Sequence, residues 1–93
     1  MGLGFEWDVE KARTNLVKHG VSFDESSTVF GDPRSLTIPD TAHSQTEDRF
    51  IILGLSHRQR LLVVVHTGRG DNIRIISARP ASRRERRQYE AST

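Results

Sequence analysis

Residues 69–93 carry seven arginines and no lysine, against Asp71, Glu85 and Glu90, for a local net charge of +4. An arginine keeps its proton near neutrality, so it acts as a planar anion clamp rather than as a base. Such a cluster suits a phosphate-rich partner or an acidic protein surface, the bland alternative being a solvated basic helix end. Two of the seven have the best settings for clamping. Arg69 stands between Gly68 and Gly70, where the backbone can approach a phosphate closely. Arg79 ends an apolar stretch just ahead of an expected helix N-terminus, itself an anion site. For proton transfer near neutrality the natural side chain is histidine. Lys18 and His19, at the end of an amphipathic segment, are the acid–base candidates. His43 falls in a polar loop and His57 in a turn, so both read as exposed, and His66 lies on an expected strand. The four histidines form no i,i+4 pair and show no acidic spacing of a metal site, so neither metal nor cofactor is predicted. With no cysteine, a disulfide scaffold, a thiolate zinc site and a cysteine nucleophile are excluded.

The elements that must position these groups follow from capping and periodicity. Asp8 is a good N-cap and Gly20 a good left-handed stop, so the spacing predicts a helix over residues 9–19. On it Val9, Ala12 and Leu16 share one stripe, Lys11, Asn15 and Lys18 share another, and His19 sits at the border. Ser22-Phe23-Asp24-Glu25 reads as a capping box opening a short second helix that stops at Gly31. Leu36 and Ile38 alternate with polar residues as an edge strand ended by Pro39, and residues 40–48 form a polar loop. Three runs rich in Ile, Val and Leu, at 49–55, 61–66 and 72–78, are joined by short polar turns and suit consecutive hairpins. A second capping box, Ser82 to Glu85, opens a last helix towards Glu90. The predicted architecture is α+β: two N-terminal helices, a four-stranded antiparallel sheet and a C-terminal helix.

At 93 residues the chain is expected to form one domain, residues 1–93, with a thin core to which a partner could contribute. The 14 Lys and Arg against 12 Asp and Glu leave a net charge of only +2, so residues 1–68 are slightly acidic and the basic character lies at the C-terminal end. No signal-peptide pattern is present, and the longest apolar run, Leu61 to Val65, is too short for a bilayer. The expectation is a small soluble protein of a bacterial-type cytoplasm, with no membrane partner.

Motifs along nearly the whole chain resemble the BrnT family, the toxin halves of bacterial type II toxin–antitoxin pairs. They are Phe5-Glu6-Trp7-Asp8, Lys11-Ala12, Asn15 and Lys18-His19-Gly20-Val21-Ser22-Phe23 at the start. Arg49-Phe50 with Gly54, Arg60 to Val64 and Ile73 to Arg79 continue the match, and Arg84 to Arg87 with Tyr89-Glu90 complete it. His66 stands where an aromatic residue is common in the family. The resemblance implies a RelE-like ribonuclease fold, growth arrest through RNA cleavage, and neutralisation by a BrnA-like ribbon-helix-helix antitoxin in a heteromeric complex.

RNA cleavage without a metal needs a base for the 2′-hydroxyl proton, cations for the phosphorane and an acid for the leaving 5′-oxygen. The 2′-hydroxyl is the internal nucleophile, so a chain without cysteine or a serine elbow can be an endoribonuclease. On this reading Arg69 and Arg79 are the clamps, and Lys18 and His19 supply the base or acid. The structural alternatives are a solvated turn for Arg69, a salt bridge to a first-helix carboxylate for Arg79, and helix-end roles for Lys18 and His19. Trp7 could stack on a base, although packing the first helix onto the sheet is the favoured role. Lys11, Arg83, Arg84 and Arg87 are expected RNA contacts. The arc of Arg83, Arg84, Arg86 and Arg87 is too wide to be buried, and Tyr89, opposite it, should anchor the helix to the sheet. A different class of function, a non-catalytic basic module docking an acidic or DNA-binding protein, fits the same composition.

Overall fold

In the computed structural model, which describes residues 4–43 and 46–92, the first element is a strand, not a helix. β1 (Gly4–Glu6) precedes α1 (Val9–His19) and α2 (Phe23–Ser27), which runs into a 3-10 turn at Thr28–Gly31. β2 (Leu36–Pro39), a 3-10 turn at Thr41–His43, β3 (Arg49–Leu55), β4 (Leu61–Arg69), β5 (Asn72–Pro80) and α3 (Arg83–Ala91) complete the order. The sheet order is β1-β5-β4-β3-β2. β2 to β5 pair antiparallel, and β1 lies parallel to the start of β5 through Gly4–Asn72, Phe5–Ile73 and Glu6–Arg74. The predicted architecture is therefore corrected: among the described residues the sheet is five-stranded and mixed, with three α-helices. A three-residue strand is too short to show a period of two, and its parallel partner lies 68 residues further along the chain. Ser44 and Gln45 of the expected 40–48 loop lie outside the described residues.

Local capping explains the helix ends. Asp8 accepts from the backbone N–H groups of Glu10 and Lys11 at 2.8 and 3.0 Å, and Gly20 closes α1 at φ +69°. At α2 only half of the expected box forms. Ser22 Oγ accepts from Glu25 N–H at 3.0 Å, but the Glu25 carboxylate turns inward to Ser56 Oγ (2.7 Å) and Arg60. At α3 both halves are present, with Ser82 and Glu85 capping each other.

The two sheet faces are covered unequally. Under α1 and α2, Ile52, Leu62, Val64, Ile75 and Ala78 pack with Val21, Phe23 and Val29, with Trp7 and Ala12 at the margin. On the opposite face Leu53, Leu61 and Val63 meet Tyr89 and Ala81. Tyr89 anchors α3 as expected, packing here and donating its hydroxyl to Asp32 at 2.6 Å. Because α3 covers one end of this face, the remainder stays open as a groove. The side of α1 turned to the core also differs from the apolar stripe read in the sequence. Val9, Leu16 and Val17 are exposed, whereas Asn15 is buried. Its Nδ2 donates to the carbonyls of Val21 (3.0 Å) and Ala78 (2.9 Å), and its Oδ1 accepts from Ala78 N–H (3.0 Å). A satisfied carboxamide can be buried where an unpaired one could not.

Candidate functional site

The open part of the second face forms a groove of about 400 Å³. Its floor is sheet: Ile51 of β3, Val63 and Val65 of β4, and Ile76, Ser77 and Ala78 of β5. Its polar rim is His19 from the end of α1, Arg79 from β5, Arg49 from β3, and Asp40 with His43 from the turn after β2. A β-bulge builds this floor. Val65 pairs with Ser77 and His66 with Ile75, which leaves Ile76 as the extra residue. Ile75 and Ala78 can then both face the helices, while Ile76, Ser77 and Arg79 line the groove. A second depression of about 320 Å³ shares His19, Ile76 and Ser77 with the first and adds Glu10, Lys11, Thr14, Asn15 and Lys18. The two depressions thus place Lys11 and Lys18, with Glu10 beside them, in line with His19 and Arg79.

Of the acid–base and clamp candidates from sequence, Lys18, His19 and Arg79 meet around these joined depressions, and Arg69 does not. Arg69 pairs with Asn72 at the tip of the β4–β5 hairpin, whereas Arg79 lies across from Val63, six residues back along β4. At roughly 3.3 Å per residue that is about 20 Å. The Arg69 Nε lies 3.7 Å from Glu6, which also binds Arg74 at 3.1 Å. A single phosphate cannot be held by Arg69 and Arg79 together.

Arg79 is itself held. Its two terminal nitrogens donate to the two carboxylate oxygens of Glu85 at 2.8 Å each. The partner is on α3, not on the first helix as the alternative reading had it. Glu85 also accepts from Ser82 N–H at 2.8 Å, so the anion at the α3 N-terminus is the protein's own carboxylate. The Arg79 guanidinium and the two Ser82 hydrogen bonds lower the Glu85 pKa to about 2. Arg79 Nη1 also donates to the Pro80 carbonyl at 3.3 Å, and the Arg79 side chain remains 45% exposed at the groove rim.

Trp7 is half-buried with its ring edge-on to Phe23, centroids 5.9 Å apart, which is a packing contact. It lines a different depression with Ala12, Arg13 and Leu16. Arg83, Arg84, Arg86 and Arg87 are exposed along α3. His66 faces the helical side, between the edge contact of Phe30 (4.8 Å) and the stacked ring of Phe50 (5.9 Å). Burial pushes its pKa down.

Asp40, His43 and Arg49 are the groove residues that sequence reasoning passed over. Asp40 is 8% exposed, and both of its carboxylate oxygens lie within hydrogen-bond distance of His43 Nδ1, at 3.2 and 3.1 Å. The available signal was an Asp and a His three apart in a loop between strands. A 3-10 turn brings such residues onto one side. Arg49 leans on Glu47, with Nε 3.3 Å from the carboxylate.

Chemically, the groove rim carries two imidazoles, the Asp40 carboxylate and two guanidinium groups, each guanidinium paired with a glutamate, over a sheet floor, with the Lys18 ammonium in the adjoining depression. Among the described residues no helix is long and apolar enough to cross a membrane.

A family model described as "Ribonuclease toxin, BrnT, of type II toxin-antitoxin system" matches residues 7–85. The crystal structure of the Brucella abortus ribonuclease toxin BrnT, at 1.1 Å resolution, is similar with a TM-score of 0.69 and 22% identity. The similarity covers 88% of this chain and all of that one, and it establishes a shared fold. No curated protein matches the chain significantly.

Proposed function

The chain belongs to the BrnT family of ribonuclease toxins of type II toxin–antitoxin systems, and from that membership we propose that its sheet-face groove is where RNA is cut, without a metal. The observation that carries this reading is the meeting of His19, Arg49 and Arg79, from three separate elements, around one groove joined to Lys11 and Lys18. Arg79, oriented by Glu85, and Arg49 supply the charge that a phosphorane requires. Lys18 and His19 supply a cation and a proton-transfer group. Lys11 and the exposed Arg83, Arg84 and Arg87 hold flanking phosphates. The 2′-hydroxyl of the RNA provides the nucleophile, so these side chains need only position, neutralise and move protons.

The protein acts in the cytoplasm on this reading, arresting growth until a BrnA-like ribbon-helix-helix antitoxin binds it. The test is incubation of the purified chain with a labelled single-stranded RNA in EDTA, together with expression in a bacterial host with and without the neighbouring gene. Cleavage in EDTA, and arrest reversed by the neighbour, support the reading. RNA that is bound but stays intact, with or without divalent ions, overturns it in favour of a non-catalytic basic module.

A further inference from the structure

We propose that His43, held by Asp40, is the general base of the cleavage reaction, with His19 on the facing wall as the general acid. The proposal rests on the cleavage reading and assigns its proton transfers.

Three observations carry it. First, His43 Nδ1 lies 3.1–3.2 Å from both oxygens of Asp40. A carboxylate there accepts the Nδ1 proton and leaves the Nε2 lone pair as the free acceptor of a neutral imidazole. Second, the two partners differ in exposure: the Asp40 side chain is 10% exposed and that of His43 70%. The carboxylate is thus a fixed orienting group, and the imidazole is open to substrate. Third, the sheet order places the two histidines on different sides of the groove. His19 ends α1, which packs beside β5. Asp40 follows β2 and is tied to β3 by its N–H to the Arg49 carbonyl at 2.8 Å. From β5 to the line of β2, which Asp40 continues, is three strand spacings, or about 14 Å between backbones, and the two side chains reach into the groove from its opposite sides, so that one phosphodiester can lie between the imidazoles. In-line displacement needs that arrangement, because the entering and leaving oxygens are opposite each other across phosphorus.

The step balances without a further reactant. Nε2 of His43 takes the 2′-hydroxyl proton as O2′ bonds to phosphorus. The P–O5′ bond breaks, and protonated His19 gives its proton to O5′. The products are a 2′,3′-cyclic phosphate and a 5′-hydroxyl end. His43 is the catalytic residue here and Asp40 a positioning residue. The charged groups sharing the groove with them are Arg49 of β3, Arg79 of β5 with Glu85 of α3, and His19 of α1.

The experiment measures single-turnover cleavage of one labelled RNA, its end chemistry and its thermal unfolding, for the wild-type chain, His43→Ala and Asp40→Asn. The expected result is cyclic-phosphate ends from the wild type and a loss of at least ~100-fold in His43→Ala with unchanged RNA affinity and unfolding midpoint, because general-base catalysis contributes about 10²–10⁴-fold. Added imidazole should restore part of the His43→Ala rate. Asp40→Asn should cut about tenfold more slowly, with the rising limb of its pH–rate profile displaced. A His43→Ala rate within threefold of wild type overturns the proposal, as does loss matched by weaker RNA binding with no imidazole rescue. Cleavage leaving 5′-phosphate ends overturns it too, since water would then be the nucleophile. A wild-type chain that binds RNA and leaves it intact overturns the cleavage reading itself, which separates the two failures.

Discussion

The carboxamide of Asn15 grips the backbone of Ala78 from both sides, accepting its N–H at 3.0 Å and donating to its carbonyl at 2.9 Å. This is a strand-like pairing made by a side chain of α1. It fixes the helix that ends in His19 against the strand residue that precedes Arg79. The third bond, to the Val21 carbonyl at 3.0 Å, ties down the chain as it leaves that helix. Two groups of the groove, 60 residues apart, are thereby held in one register.

Asn15→Ala leaves three buried backbone groups without their partner. The expected loss is about 2–3 kcal/mol of folding stability, read as a lower urea midpoint with an unchanged slope.

Arg79 and Arg69 should separate kinetically. On the proposed reading, Arg79→Ala removes a group at the reacting phosphate and should lower the rate at saturating RNA by about 10²-fold, as loss of a preorganised charge contact does. Arg69, about 20 Å away along the sheet, should affect only the binding of longer RNAs. Arg69→Ala is expected to keep the saturated rate and raise KM. Steady-state cleavage of a short and a long RNA checks both.

Acid should weaken the fold through two carboxylates. Glu25, buried and paired with Arg60 and Ser56, has its pKa lowered from 4.5 to about 2, and Glu85, paired with Arg79, likewise. A depressed folded-state pKa contributes stability that is full above the unfolded value and is lost as pH falls through the folded one. The loss should therefore run from roughly pH 5 down to pH 2. For Glu25 it amounts to about 3 kcal/mol at most. Urea titrations across that range measure it, and Glu25→Gln should flatten the curve.

The exposed arginines of α3 should act through salt. On the proposed reading, replacing Arg83, Arg84 and Arg87 together by alanine removes three phosphate contacts. The slope of log K against log salt for single-stranded RNA should fall by about 2, as measured by fluorescence anisotropy, with the unfolding midpoint unchanged.

Trp7 should behave as a packing residue. Its edge contact with Phe23 beneath α1 makes Trp7→Ala a loss of about 3 kcal/mol. The fraction that remains folded should bind RNA as the wild type does, which anisotropy normalised to active protein would show.

Local rules act over a few residues, and what depends on them could be read directly. Asp8 and Gly20 end α1 where their spacing says, the reciprocal Ser82–Glu85 box opens α3, and the apolar runs become β3, β4 and β5. The ordered motifs from Phe5 to Glu90 also pointed to the family that the match over residues 7–85 shows. Tertiary structure decided the rest, because it depends on which distant segments become neighbours. Strand β1 exists only through its pairing with residues 72–74, and Asn15 is buried only because Ala78 and Val21 satisfy it. Glu25 left its expected cap for Arg60, 35 positions away. Arg69 and Arg79 look equivalent along the chain, yet an antiparallel register puts them at opposite ends of one hairpin. The bulge at Ile76, and the turn that sets Asp40 beside His43, bring Arg79 and His43 to a common groove. Sheet order and register thus decide which of the chain's cations and imidazoles meet.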